Sequence, residues 1–543
     1  MHALKEALED EWPEEQEHAT HADTSSQLNV TEYDLLLCPS GAVYVMPGAL
    51  QEIPEHVLAV LCAAFCQNVD RVCKVYHTPT LQAFLIEGKS YLGQDPSSPG
   101  NRAVKAAVCF AATNTLSSDQ CQSLFDRSRH DQLCQFRKMA EIAFAQADLF
   151  TTTDLATLQA LATFTMTSRF SDPSRRMWTM TAILVRVARA MGLHHETISR
   201  TPFETELRRR LWQNIRLIDV FAAWDRGSAE LLIAISTFDT PRARVIEDLE
   251  FDENSTTIPG DKLGVTDMTL TSIWLDAFEY THRFTGPESK PNGGDTWEDR
   301  MKLAQKFEEK VNEQYLKYVN QSDPFHRLLA AFFRCMITAH KLRAARPLRK
   351  HPLSTASRVD TPYILQLASD ALAAAEAPYN DPDLAQFRWV AWVPWHPLAT
   401  ALAGLCTIRD TELANQAWIN VEKTYIRQAR LIADSQSGML WKPIEKLYKK
   451  ACAFRKHREE SPNDAVFSPL HPHQFLSTTS APHHLHVQVD PSLSDPFQSG
   501  QQQPQSVLTT MPTSDLFNCP STINFGNAAI DDLDLDLTNS NMD

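Results

Sequence analysis

Three adjacent residues, His194, His195 and Glu196, lie in the stretch Val187–Asp219, VARAMGLHHETISRTPFETELRRRLWQNIRLID. Arg208, Arg209 and Arg210 follow, ahead of Trp212 and Asp219. Imidazoles beside a carboxylate are metal-ligand chemistry, and a run of guanidiniums is phosphate chemistry. The spacing argues against both. Metal-binding histidines converge at i,i+4 on a helix or i,i+2 on a strand, whereas three consecutive side chains diverge on regular structure, and the chain has no HExxH. At about 100° per residue, the three arginines fan over roughly 200° of a helix. Only Arg209 points straight away from the apolar stripe of Leu207, Leu211, Ile215, Ile218 and Ala222. Arg208, Trp212 and Asp219 share one flank, an arrangement suited to an arginine and an aspartate buried at a helix–helix boundary beside an aromatic ring. A structural role is therefore expected for the triplet.

Other reactive side chains give no sharper signal. Cys62, Cys66 and Cys73 fall in the apolar text AVLCAAFCQNVDRVCKVYH, and the 11 cysteines read as reduced core residues. GxSxG, a phosphate-loop lysine and a GxGxxG after a strand are absent from the sequence. No catalytic residue, cofactor or metal site is expected. Trp389, Trp392 and Trp395 in RWVAWVPWHP stand one helical turn apart, as a core stripe or as a ligand cage.

The elements that must position these groups are helices. Glycine is scarce, 16 in 543 residues, and apolar residues recur at spacings of three and four. Around the opening stretch, Asp172 and Pro173 read as N-cap and N1 of one helix, and Gly192 as the left-handed residue that closes it. Thr201, Pro202 and Glu204 then open the next helix as a capping box. The fold class expected is all-α: a helical domain over 35–460, with a loop in TGPESKPNGGDTWEDR (285–300), between a leader (1–34) and a tail (461–543) expected to be disordered.

Net charge is −16, and both ends carry it: 1–34 and 461–543 each hold −9, leaving the middle nearly neutral at +2. No overall basic balance favours nucleic acid. The first twenty residues lack an apolar h-region, and no run is long and apolar enough to span a membrane, so neither a secretory signal nor a membrane segment is expected. The tail ends INFGNAAIDDLDLDLTNSNMD. There aspartates keep Leu533, Leu535 and Leu537 solvated, with Phe517 and Phe525 upstream, as in an acidic activation segment. An ordinary acidic end is the alternative. The basic run KLYKKACAFRKHRE (446–459) is a nuclear-import signal or the solvated face of a last helix.

Taken in order, five stretches resemble the fungal-specific transcription factor domain, the regulatory region of fungal zinc-cluster regulators. FCQNVDRVCKVYHTPTLQAFL (65–85), with His77 and Pro79, resembles an early helix and its KxxHxPT motif. Residues 158–196, ending in Gly192, Leu193 and His194, resemble the central helical pair. FETELRRRLWQNIRLIDVFAAWDRG (203–227), with Glu206, Arg208–Arg210, Trp212 and Asp219, resembles the ExRRRLWW signature. The stretches 315–348 and 386–405 resemble later helices.

The resemblance implies a nuclear regulator of a metabolic or secondary-metabolite gene cluster. It implies a homo- or heterodimer, coactivators recruited by the tail, and a small-molecule effector. The sequence departs from the family in two places. The six-cysteine cluster that reads DNA is absent from this sequence, so DNA contact is expected through a missing exon or a partner. TFDTPRARVIEDLEFD (237–252) replaces the usual loop beside the interior cavity. A scaffold or corepressor of another regulator is the alternative, followed by an enzyme recruited from the same fold.

Overall fold

Four helices open in the same way. A hydroxyl or carboxylate precedes proline at Ser98–Pro99, Thr201–Pro202, Asp323–Pro324 and Thr361–Pro362. In each, the first side chain accepts hydrogen bonds from backbone N–H groups two or three residues on. Proline at N1 sacrifices an N–H that the helix leaves unpaired anyway, and its fixed φ suits the first turn.

The computed structural model describes residues 52–169, 175–196, 200–225, 231–285, 297–345, 361–390, 394–428 and 441–460. In chain order the helices are α1 (Glu55–Phe65), α2 (Thr78–Glu87), α3 (Pro99–Thr115), α4 (Ser118–Phe125), α5 (Arg129–Gln146), α6 (Leu155–Ser168), α7 (Arg175–Ala190) and α8 (Pro202–Trp224). Then come α9 (Thr269–Thr285), α10 (Trp297–Gln314), α11 (Pro324–Ala344), α12 (Pro362–Ala375), the single turn α13 (Ala377–Asn380), α14 (Trp395–Leu405), α15 (Thr411–Gln428) and α16 (Trp441–Glu460). The fold is all-α, with no strand among the described residues.

Helices α3 and α6 form the centre. Their residues are buried almost throughout, α3 packs on α1, α5 and α6, and α6 on α7 and α8. Both also bury polar side chains, among them Asn101 and Thr113 on α3 and Thr157, Gln159 and Thr163 on α6, as helices wrapped on every side. A second apolar cluster joins α12, α14, α15 and α16 to Leu342 at the end of α11. No helix among the described residues is long and apolar enough to cross a membrane.

Gly192 closes the α7 segment at φ +68°. Its N–H donates to the Arg189 carbonyl, and the Leu193 N–H reaches back to Ala188 O at 3.0 Å, a Schellman closure that buries Leu193. A Cβ at Gly192 would meet nothing within 4 Å, so the strain is conformational alone. Gly192→Ala is expected to cost about 1–2 kcal/mol in chemical denaturation, and an unchanged midpoint would contradict this.

Thr201 caps α8 through the Glu204 N–H at 3.1 Å, but the reciprocal half of the expected capping box is missing. The Glu204 carboxylate pairs with Arg200 instead. The expected tryptophan stripe is also broken. Trp389 ends a 3₁₀ segment (Pro382–Val390), Trp395 begins α14, and Trp392 lies outside the described residues. Both described indoles are buried and donate to backbone carbonyls, Trp389 to Asn68 and Trp395 to Trp224. Asp172, Pro173 and most of the 285–300 loop lie outside the described residues, as do 1–34, the tail, and Phe517, Phe525, Leu533, Leu535 and Leu537. The basic run forms most of α16, with Lys446, Lys449, Lys450 and Lys456 exposed.

Candidate functional site

The HTPT and LRRRLW motifs meet in a buried cluster of charge. The first helix relaxes into a π turn (Cys66–Asp70) that aims Asp70 inward, and the chain then runs through Lys74 to His77 at the head of α2. Helix α8 brings Glu206 and Arg210 on successive turns, and a 3₁₀ turn (Asp248–Glu250) brings Asp248. Lys74 Nζ lies 2.6 Å from Asp248 Oδ2, pairs with Asp70, and donates to Thr78 Oγ1. Arg210 donates to Asp248 Oδ1 at 2.5 Å and to the Tyr76 carbonyl, and its Nε faces Glu206 at 3.4 Å. Asp248 also accepts from the Thr78 N–H at 2.6 Å. His77 is held in one tautomer: Nδ1 accepts from the Thr80 N–H, and Nε2 donates to the Asp248 and Phe251 carbonyls. Its ring packs edge-on against Phe203.

Three carboxylates face two cations here, and they are not equivalent. Asp248 sits below the ordinary carboxylate range: burial alone would raise it, but the Lys74 and Arg210 charges and their hydrogen bonds outweigh that. Desolvation pushes Asp70 and Glu206 up instead, and each keeps one buried oxygen without a hydrogen-bond partner. Burial lowers His77, which favours the neutral ring.

The arginine triplet divides its labour, with one correction to the helical-wheel reading. The fully buried arginine is Arg210, not Arg208. Arg208 donates to the Met191 carbonyl at 2.7 Å, closing the end of the preceding helix beside Gly192. Arg209 makes a two-point bridge to Glu196 near the surface. Trp212 is buried against His194 and Phe238. Asp219 accepts the backbone N–H groups of Leu232 and Ile233. His194 and His195 do not diverge as expected: their ring centroids are 4.0 Å apart, on an irregular turn where His195 Nδ1 lies 3.1 Å from Asp239. No group of three potential ligands is placed to hold a metal ion among the described residues. Pro79 stands in the first turn of α2. Together these residues clamp the 231–251 segment onto α8. Lys74 entered the sequence reading only as the lysine of the KxxHxPT motif, with no role given to it, and Asp248 only as one residue of the 237–252 loop.

Toward the C-terminal end of α8 lies an aromatic cleft of about 720 Å³ of empty space including its mouth, lined mainly from α8, α9 and α11. Its walls include Phe221, Trp224, Trp274 and Phe332, set edge to face, with Phe221 and Trp274 centroids 5.1 Å apart at 86°. Arg169 lies 4.7 Å over Phe221 and is paired with Asp225, and Arg343 lies 4.9 Å over Trp224. His340 Nδ1 and Nε2 each lie 2.7 Å from a backbone carbonyl, of Met336 and Ala277; burial pushes its pKa down to about 4. The 237–252 loop does not line this cleft, and neither Trp389 nor Trp395 does. The loop is taken up by the charge cluster through Asp248, and the two indoles by core contacts.

Residues 63–268 match the fungal specific transcription factor domain. The C6 finger domain transcription factor adaR of Aspergillus niger is 27% identical over 505 residues, covering 88% of this chain and 64% of adaR. The C6 finger domain transcription factor nscR of Aspergillus fumigatus is 29% identical over 407 residues, covering 71% of this chain and 51% of nscR. This chain thus spans about half to two thirds of the length of these curated relatives. Among solved structures, a chain of the K. lactis CBF3 core superposes with a TM-score of 0.49 at 9% identity, over 75% of this chain and 83% of that one. The charge cluster joins Asp70, Arg210 and Asp248 across nearly the whole of the stretch, 63–268, that matches the fungal specific transcription factor domain.

Proposed function

We propose that this chain is a nuclear transcription regulator whose helical domain (35–460) is the regulatory body and whose tail (461–543) recruits coactivators through Phe517, Phe525, Leu533, Leu535 and Leu537. The observation that carries the reading is the domain match over 63–268, supported by relatives named as C6 finger transcription factors. DNA contact comes from a zinc cluster beyond this sequence or from a partner regulator. The helical body dimerises and takes a small-molecule effector in the α8–α9–α11 cleft. The targets are the genes of a metabolic or secondary-metabolite cluster, and the chain performs no catalysis.

The test is a fungal reporter driven by the full chain fused to a heterologous DNA-binding domain. Reporter output is expected to rise and to fall back when Leu533, Leu535 and Leu537 are all changed to alanine. Output unchanged from the DNA-binding domain alone would contradict the activation reading and favour a scaffold that blocks another regulator.

A further inference from the structure

His130 and Cys134 carry the spacing that His194 and His195 lack. They stand one turn apart on α5, where residues at i and i+4 share a face. Both side chains are exposed, and among the described cysteines Cys134 alone is. His130 Nε2 and Cys134 Sγ lie 3.7 Å apart. Zinc bonds of about 2.0 Å to nitrogen and about 2.3 Å to sulfur, opened to the tetrahedral angle, set the two donors about 3.5 Å apart. The pair therefore stands close to the separation that one zinc ion requires, on regular helix that need not rearrange.

The charged neighbours are engaged elsewhere. Asp131 accepts from the Ser128 hydroxyl at the head of the helix, Arg127 donates to Gln135, and Arg137 to Glu141. No group of three potential ligands is in place among the described residues, so the pair has no third donor there. Protein zinc sites hold four donors, or three and a water. The shortfall is two, and a two-fold axis through the ion doubles the pair. Asp131 and Lys138 beside it are exposed as well, so the pair faces outward, where another molecule can reach it.

We propose that His130 and Cys134 form half of a zinc site, completed by the same two residues of a second copy of this chain into a tetrahedral centre of two imidazoles and two thiolates. This names where two copies meet, and it rests on the regulatory reading only for the dimer. Each ion takes the Nε2 lone pair of both imidazoles and displaces one proton from each thiol.

The test is sedimentation of the full chain with zinc chloride or with EDTA, under a phosphine reductant so that no disulfide forms. A dimer with zinc and a monomer with EDTA are expected. His130→Ala and Cys134→Ser are each expected to stay monomeric in zinc, and Cys134→His, which keeps a zinc donor at i+4, to restore the dimer. Metal analysis is expected to show one more zinc ion per two chains in wild type than in Cys134→Ser. Zinc taken up elsewhere, as by the histidines of the tail, drops out of that difference. Cobalt(II) in place of zinc is expected to give the intense visible bands of a tetrahedral site, lost in Cys134→Ser. Thermal melting checks that the variants, all at exposed positions, remain folded. The inference is overturned if wild type and Cys134→Ser bind equal zinc, if zinc binds at the pair but leaves the chain monomeric, or if either folded variant still dimerises with zinc. A dimer indifferent to zinc and EDTA also overturns it, while leaving the dimer of the regulatory reading intact. An active reporter with no zinc-dependent dimer removes this inference alone, and a silent reporter with one removes the activation reading alone.

Discussion

Asp248→Asn destabilises the folded chain by about 3–5 kcal/mol at pH 7, the usual result of taking one partner from a buried ion pair. Asp248 is the hinge of the charge cluster: it holds Lys74, Arg210 and the Thr78 N–H together, and without its charge two buried cations face weaker partners. Asp70→Asn in the same cluster is expected to change stability by less than about 1 kcal/mol, because removing one of three carboxylates balances the two cations. The pH dependence separates the two. Asp248 has a folded pKa below its unfolded one. Its contribution is therefore present above about pH 4, the unfolded value, and is lost as pH falls through the folded pKa. Asp70 is shifted the other way by desolvation, so its contribution is full below the unfolded value and is lost as pH rises through the folded one. Urea melts of wild type, Asp248→Asn and Asp70→Asn at pH 7 and at about pH 2.5, well below the unfolded value, check both signs. Equal losses for the two variants at pH 7 would sink this account of the cluster.

Gly100→Ala is expected to destabilise by about 2–3 kcal/mol, although alanine in the first turn of a helix is ordinarily an improvement. A Cβ at residue 100 would stand 1.9 Å from Asp154 Oδ2 and 2.9 Å from Thr157 Oγ1. That carboxylate cannot simply swing away. It caps α6 through the Ala156 and Thr157 N–H groups, takes the Thr157 hydroxyl at 2.7 Å, and holds Gln94. Displacing it forfeits the cap and pries apart α3 and α6, the central pair. The coupling is measurable: in an Asp154→Ala background, Gly100→Ala should cost less than half as much. Additive losses in denaturation would show that the two residues do not meet.

Much of this architecture was legible in the sequence, because helices announce themselves through periodicity and punctuation. Gly192, Thr201 and Pro202 are local signals with local consequences, and the structure puts them where those signals point. The buried arginine was misjudged for a non-local reason. On the wheel, Arg208 lies about 60° from the centre of the apolar stripe and Arg210 about 100°. Yet the 70–78 strand of chain and the 248 turn cover the Arg210 flank, both supplied from far away in sequence. The same holds for the cleft. Its walls come from α8, α9 and α11, and nothing in the spacing of Trp224, Trp274 and Phe332 shows that their rings meet. The tryptophans that did catch the eye, Trp389 and Trp395, are spent on backbone carbonyls. The histidine pair misled because the rule of divergence applies to regular structure, and the chain there is a turn closed by Gly192.

Chromatin occupancy of the chain, tagged at its native locus and expressed at its native level, tests the regulator reading itself. Discrete peaks at a small set of promoters, with transcripts from those genes changing when the locus is deleted, are the expected result. A tagged, folded protein with no promoter peaks and no change in transcripts on deletion would contradict it.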